Sequence, residues 1–187
     1  RLRAASDLDP ARFQGTIDAS FPRTAWAPDR SNMTFEYFHA VDPGRARSNN
    51  EDSVEIDSAN ALAVLADGMG GYNAGEVASN MATSFIKAEL GRWLQEATGH
   101  ATDPEVRRAM DICVDNANRA IFNAANSNPQ YAGMGTTLVV AVFRDNRLLL
   151  GHVGDSRAYR WRAGRLNQIT RDHSLLQEQI DAGLITA

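Results

Sequence analysis

ALAVLADGMGGYNAGEVAS, residues 61–79, passes from a run of small apolar residues to an aspartate, then to a glycine-rich turn and a stretch of helical period. Residues 61–66 predict a buried strand that Asp67 closes. Gly68, Gly70, Gly71 and Gly75 supply the turn, and Glu76 opens the helix. A carboxylate therefore stands at the end of a strand, beside a backbone that can approach a ligand closely because glycine lacks a Cβ. The same residues also read as a strand–turn–helix joint with a capping aspartate. A short motif of this kind takes its meaning from the rest of the chain.

Upstream, residues 53–57 predict a second strand and residues 58–60 a turn. If the two strands pair antiparallel, Glu51, Asp52 and Asp67 come near one another. Residues 45–52, RARSNNED, are strongly polar. Asp42-Pro43-Gly44 marks a turn, and the alternation in residues 34–40 predicts a first strand. Residues 1–32 mix charge, proline and small polar residues and read as a tail or linker leading from an upstream domain, with one domain over 33–187.

Downstream, residues 76–97 predict a helix with Val77, Met81, Phe85 and Ala88 on one stripe, widened by Ile86, Leu90 and Trp93. Thr102, Pro104 and Glu105 read as a capping box with proline in the first turn. Val106, Met110, Cys113, Ala117, Ile121 and Ala124 continue one face of a second helix. The two helices form an antiparallel pair on a sheet. Residues 126–134 read as a loop. Residues 135–170 are strand and turn throughout, with hairpins at Asp145-Asn146 and Ala163-Gly164. Ser174 caps a short helix that Gly183 ends.

The chain of 187 residues is long enough for one domain with a sizeable core. A net charge of −4 without a long basic run argues against nucleic acid as the main partner. Cys113 is the single cysteine, so no intrachain disulfide forms, and a core thiol suits a reducing, cytoplasmic compartment. No apolar run approaches the ~20 residues of a membrane span.

Glu51, Asp52, Asp67 and Asp155 are the acidic candidates. Hard divalent cations such as Mg²⁺ and Mn²⁺ take oxygen ligands, and four histidines with one cysteine argue against zinc. Clustered carboxylates are costly unless a cation or hydrogen bonds compensate them. Each aspartate could also simply cap a turn. Arg47 could hold a phosphate beside such cations, or be a solvated loop arginine.

Five motifs then occur in order: Arg47-Ser48-Asn49-Asn50-Glu51-Asp52; Asp67-Gly68-Met69-Gly70-Gly71 with Gly75-Glu76; Gly135-Thr136-Thr137; Gly154-Asp155-Ser156-Arg157; and Thr170-Arg171-Asp172-His173-Ser174. Together they resemble the bacterial branch of the metal-dependent protein phosphatases, the PPM or type 2C Ser/Thr phosphatases. The resemblance implies an α+β, four-layer α-β-β-α sandwich of two antiparallel sheets flanked by helix pairs. It implies hydrolysis of phosphoserine and phosphothreonine by a water activated at a binuclear Mg²⁺/Mn²⁺ centre. In that scheme Asp67 bridges both ions, and Glu51 and the Gly68 carbonyl ligate one of them. Asp52 contacts the centre through water, Arg47 binds the substrate phosphate, and Asp155 ligates a weakly held third ion. It also implies phosphoprotein substrates and an opposing Ser/Thr kinase.

Two departures qualify the resemblance. Met69 stands where some relatives carry a histidine that serves as general acid. In addition, the Ser-Asp-Gly and Asp-Asn motifs that supply two further aspartate ligands do not appear after Gly183. The expectation is an incomplete catalytic domain, with exposed sheet edges and no activity from residues 1–187 alone. The rival reading is a catalytically inactive regulatory or binding module of the same fold.

Overall fold

The computed structural model describes residues 35–46, 48–71, 74–97 and 100–186. The tail expected over residues 1–32, and Arg47, lie outside them. Strands β1 (Asp52–Asp57) and β2 (Leu62–Met69) form an antiparallel pair around the turn at residues 58–61. Two long helices follow, α1 (Ala74–Glu96) and α2 (Asp103–Ser127), then a 3₁₀ turn, Pro129–Tyr131. Strands β3 (Gly135–Thr136), β4 (Leu138–Arg144) and β5 (Arg147–Val153) complete a five-stranded antiparallel sheet of order β1-β2-β4-β5, with β3 also on β2. A second antiparallel sheet is the hairpin of β6 (Tyr159–Arg162) and β7 (Arg165–Gln168). Helix α3 (Leu175–Asp181) is the last element of the described residues.

Alternation along the strands divides the first sheet into two faces. Leu62, Val64 and Ala66 of β2 and Leu138, Val140 and Val142 of β4 are buried with α1 and α2. On α1 the fully buried apolar positions are Ala74, Ala78, Ala82, Ile86 and Leu90, whereas Val77, Met81 and Phe85 are only partly buried against the core. The stripe expected from residue size is therefore not the one most deeply buried. Small side chains let the helix lie close to the sheet, and the Ser53 Oγ to Thr83 Oγ1 hydrogen bond, 2.7 Å, joins β1 to α1 at that contact. On α2 the expected face holds: Val106, Met110, Cys113, Ala117 and Ile121 are buried. The Glu105 carboxylate accepts from both the backbone N–H and the hydroxyl of Thr102, each at 2.7 Å, and these bonds hold it below the usual carboxylate range. Asp103 receives Arg144 and Arg147 from the two sides of the β4–β5 hairpin and so ties the start of α2 to it.

Three expected boundaries change. Strand β2 does not stop at Asp67 but runs to Met69, because Gly68 and Met69 pair with Thr136 and Gly135 of β3. This ladder continues the register of β2 on β4, and Thr137 N–H donates to the Asp67 carbonyl at the junction, 2.9 Å. Residues 35–40 belong to no strand. Their alternation is expressed in side-chain docking instead: Phe35 and Tyr37 pack on Phe143, with ring centroids 5.2 and 6.0 Å away, while Phe38 is 89% exposed. Finally, the loop expected over residues 126–134 is shortened by α2, which runs to Ser127, and by the 3₁₀ turn.

Candidate functional site

The register of β1 on β2 places Asp52 directly opposite Asp67. Residues opposite in an antiparallel pair point to the same face, with Cα atoms about 5 Å apart. Their neighbours Ser53 and Ala66 are buried on the helix side, so the two aspartates lie on the other face, both exposed, at one end of the sheet. Two like charges in this position repel, and a bound cation is the usual remedy.

Glu51 sits beside this pair at the meeting of β1, β2 and α1. Its carbonyl accepts the Gly68 N–H at 2.9 Å. A Cβ on Gly68 would overlap the Gly75 carbonyl, and a Cβ on Gly75 would lie 2.7 Å from Glu51 Oε1. Both positions need glycine because three backbone segments and one carboxylate share this space. The first turn of α1 also favours a carboxylate through its free N–H groups. One residue further on, Glu76 Oε2 accepts from Asn49 Nδ2 at 3.2 Å and joins the helix to the loop that precedes β1.

Asp155 is exposed in the turn after β5, across β4 from β2, and so roughly 10 Å from it at ordinary strand spacing. The turn is linked to Asp67 through Thr137. Thr137 Oγ1 accepts the Asp67 N–H at 3.0 Å and shares a 2.6 Å hydrogen bond with Ser156 Oγ. Thr136 Oγ1 donates to the Asp67 carbonyl at 3.0 Å. Gly154 takes φ +100°, and a Cβ there would meet Thr137 Cγ2 at 2.8 Å, so the turn closes onto Thr137.

The last of the five motifs braces the same turn. Arg157 Nε donates to Asp172 Oδ1 at 2.9 Å and Nη2 to Oδ2 at 2.6 Å. The Asp172 side chain is 10% exposed. The Arg157 hydrogen bonds, against some desolvation, hold its carboxyl below the usual range, and they raise the guanidinium in return. Asp181 is engaged by Arg171. Asp172 and Asp181 are thus committed to arginines.

The structure therefore sets Asp52 opposite Asp67, bonds the Glu51 carbonyl to Gly68, and places Asp155 on the neighbouring turn. Arg47 lies outside the described residues. Among the described residues, no group of three or more His, Cys, Asp or Glu is gathered closely enough to hold a metal ion. Carboxylate and carbonyl oxygens of this kind suit a hard cation. Sequence reasoning assigned no role to Asn49, Thr137, Ser156 or His173. Their part is hydrogen bonding across elements far apart in the chain, which no local pattern announces.

This fold and donor set can be compared with known proteins. A family model described as Protein phosphatase 2C matches residues 45–179. The chain belongs to the protein phosphatase 2C family. It is 40% identical over 161 residues to the serine/threonine protein phosphatase PstP of Mycobacterium tuberculosis, covering 84% of this chain and 29% of that protein. It is 36% identical over 149 residues to the serine/threonine phosphatase stp of Listeria innocua, covering 78% and 58%. Among solved structures, the catalytic domain of PstP in complex with two manganese ions aligns at 41% identity and TM-score 0.66, over 79% of this chain and 60% of that one. The serine/threonine phosphatase Stp1 of Staphylococcus aureus aligns at 33% identity and TM-score 0.69, over 83% and 62%. The chain thus spans less than two thirds of each relative. No helix among the described residues is long and apolar enough to cross a membrane.

Proposed function

We propose that this chain carries the catalytic face of a protein serine/threonine phosphatase that hydrolyses phosphoserine and phosphothreonine with two Mn²⁺ or Mg²⁺ ions and a third, weakly held one. The observation that carries this reading is the register that sets Asp52 opposite Asp67 beside Glu51. Asp67 would bridge the two ions, with Glu51 and the Gly68 carbonyl on one of them, Asp52 contacting the pair through water, and Asp155 on the third. When bound, the ions acidify a coordinated water and neutralise charge on the phosphoryl group. Arg47 would orient the phosphate through charge-assisted hydrogen bonds. Met69 has no proton to give, so the departing serine or threonine oxygen takes its proton from solvent. The substrates would be phosphoproteins, with a Ser/Thr kinase as the opposing activity. The single, buried Cys113, whose thiol is pushed up to about 11 mainly by burial, suits a reducing, cytoplasmic setting.

The test is hydrolysis of p-nitrophenyl phosphate by the intact protein with Mn²⁺ or Mg²⁺ added, then after thorough chelation. Activity is expected only with metal, and activity that survives chelation refutes the mechanism. The absence of a three-residue ligand group among the described residues favours a second reading, an inactive regulatory module. Failure of the intact protein to turn over at any metal concentration would select it.

A further inference from the structure

Two histidines outside the carboxylate group stack beside the Asp155 turn. The rings of His152 and His173 have centroids 4.5 Å apart at 33°. His152 is 6% exposed, and its Nε2 lies 2.7 Å from the Arg171 carbonyl. A carbonyl only accepts, so this nitrogen carries the proton. His173 meets Gly154 twice: its backbone N–H donates to the Gly154 carbonyl at 2.9 Å, and its Nδ1 faces the Gly154 N–H at 3.3 Å. An amide N–H only donates, so Nδ1 of His173 carries a lone pair and any ring proton sits on Nε2.

We infer that His173 is a positioning residue: its Nδ1 and backbone N–H clamp both sides of Gly154 and thereby fix the turn that presents Asp155 and Ser156. Gly154, in the left-handed region, has no side chain of its own to hold the turn. His173 does so from outside, and its segment is anchored independently, by Asp172 on Arg157 and by Thr170 Oγ1, which accepts the Ala158 N–H at 3.0 Å. From the clamped turn, Ser156 reaches Thr137, and Thr137 reaches the Asp67 amide. The clamp thus bears on both the outlying carboxylate and the central one.

Side-chain chemistry separates this role from packing. The carboxamide oxygen of asparagine stands where Nδ1 stands, whereas that of glutamine reaches toward the place of Nε2. The first measurement needs no activity. In the intact protein with Mg²⁺, ¹⁵N shifts of the His173 ring should place its proton on Nε2, and the Gly154 amide should couple to Nδ1. A ring protonated on Nδ1 alone, or a Gly154 amide that exchanges as fast as a free one, overturns the inference. The second measurement rests on the phosphatase reading. The Mn²⁺ concentration for half-maximal p-nitrophenyl phosphate hydrolysis should rise about tenfold or more in His173→Gln and stay within about twofold in His173→Asn, as expected for an outer-shell partner of a metal site. Equal behaviour of the two variants overturns it. An intact protein with no activity would refute the phosphatase reading, and the ring and amide measurement would still decide the clamp.

Discussion

The sheet backed by α1 and α2 and the β6–β7 hairpin with α3 are held together by different forces. In the first, Leu62, Val64, Ile86, Leu90, Val106 and Val140 are fully buried, and burial of apolar surface holds the strands in register. In the second, Trp161, Leu166, Leu175 and Leu176 are between 61% and 70% exposed. What fixes that region is polar: Arg157 on Asp172, Thr170 on Ala158, His173 on Gly154. Asp52 and Asp67 stand on the first support and Asp155 on the second. The difference teaches that the two parts of the site have different tolerances. The central carboxylates should survive perturbation of charge, and the outlying one should not.

The sharpest way to probe the first support is to change only its charge. Asp67→Asn keeps shape and leaves the core untouched, because the side chain is exposed on the face away from the helices. On the proposed mechanism its loss in kcat should exceed about a hundredfold, the upper end of what an outer-shell partner costs. Circular dichroism and melting should be unchanged. Near-normal turnover would reduce Asp67 to a strand residue.

Stability breaks the comparison from the other side. Ile86→Ala empties a fully buried site between helix and sheet, and should cost about 2–5 kcal/mol in denaturant unfolding. Trp161→Ala removes a larger side chain that is 69% exposed, and should stay within about 0.5 kcal/mol. If Trp161→Ala proved as costly in the intact protein, that hairpin would be buried there, and the contrast between the two regions would fall.

These contrasts also explain what could be read in advance. The hairpins at Asp145-Asn146 and Ala163-Gly164, the start of α2 and its buried face were legible because turn chemistry, capping and apolar spacing are local. The extension of β2 to Met69 was not, since its partners Gly135 and Thr136 lie far along the chain. On the most buried stripe of α1, Ile86 and Leu90 were legible, whereas Ala78 and Ala82 were missed because alanine carries little hydrophobic signal for its size. The strand expected at residues 34–40 failed for the converse reason: its alternation was real, but it served the docking of Phe35 and Tyr37. At the site, residue types pointed to Glu51, Asp52 and Asp67, and only the register could say that two of them stand opposite. The hydrogen bonds of Thr137, Ser156 and His173 are specified by tertiary proximity.

Gly75→Ala sharpens the comparison within the first support. The added methyl would lie 2.7 Å from Glu51 Oε1 and 2.9 Å from the Gly68 carbonyl carbon. Glu51 must turn away. Alanine is otherwise the better helix former by about 1 kcal/mol, so the melting temperature should fall less than in Ile86→Ala. Mn²⁺ affinity measured by calorimetry should fall about tenfold, comparable to other disturbances of a metal shell. Unchanged affinity would show that the Glu51 carboxylate is not a ligand.

The smallest effect is expected where the second support is charged. Asp172 has a carboxyl held below its usual range, chiefly by the Arg157 hydrogen bonds. A group whose folded value is lowered contributes stability above its unfolded value, near 4 for an aspartate, and loses that contribution as pH falls through the folded one. The Asp172 contribution should therefore be constant between pH 7 and about pH 5 and be lost only below about pH 4. Asp172→Asn should reproduce the acid state at pH 7. The readout is local: faster exchange of the Ala158 and Ile169 amides, which bond to Thr170 Oγ1 and the Ala158 carbonyl, with little shift in global melting. Because Arg157 is half exposed, solvent screens the pair and keeps the cost low. A variant that melted as early as Ile86→Ala would mean that the hairpin and the core share one cooperative unit, and that polar contacts are not what sets Asp155 apart.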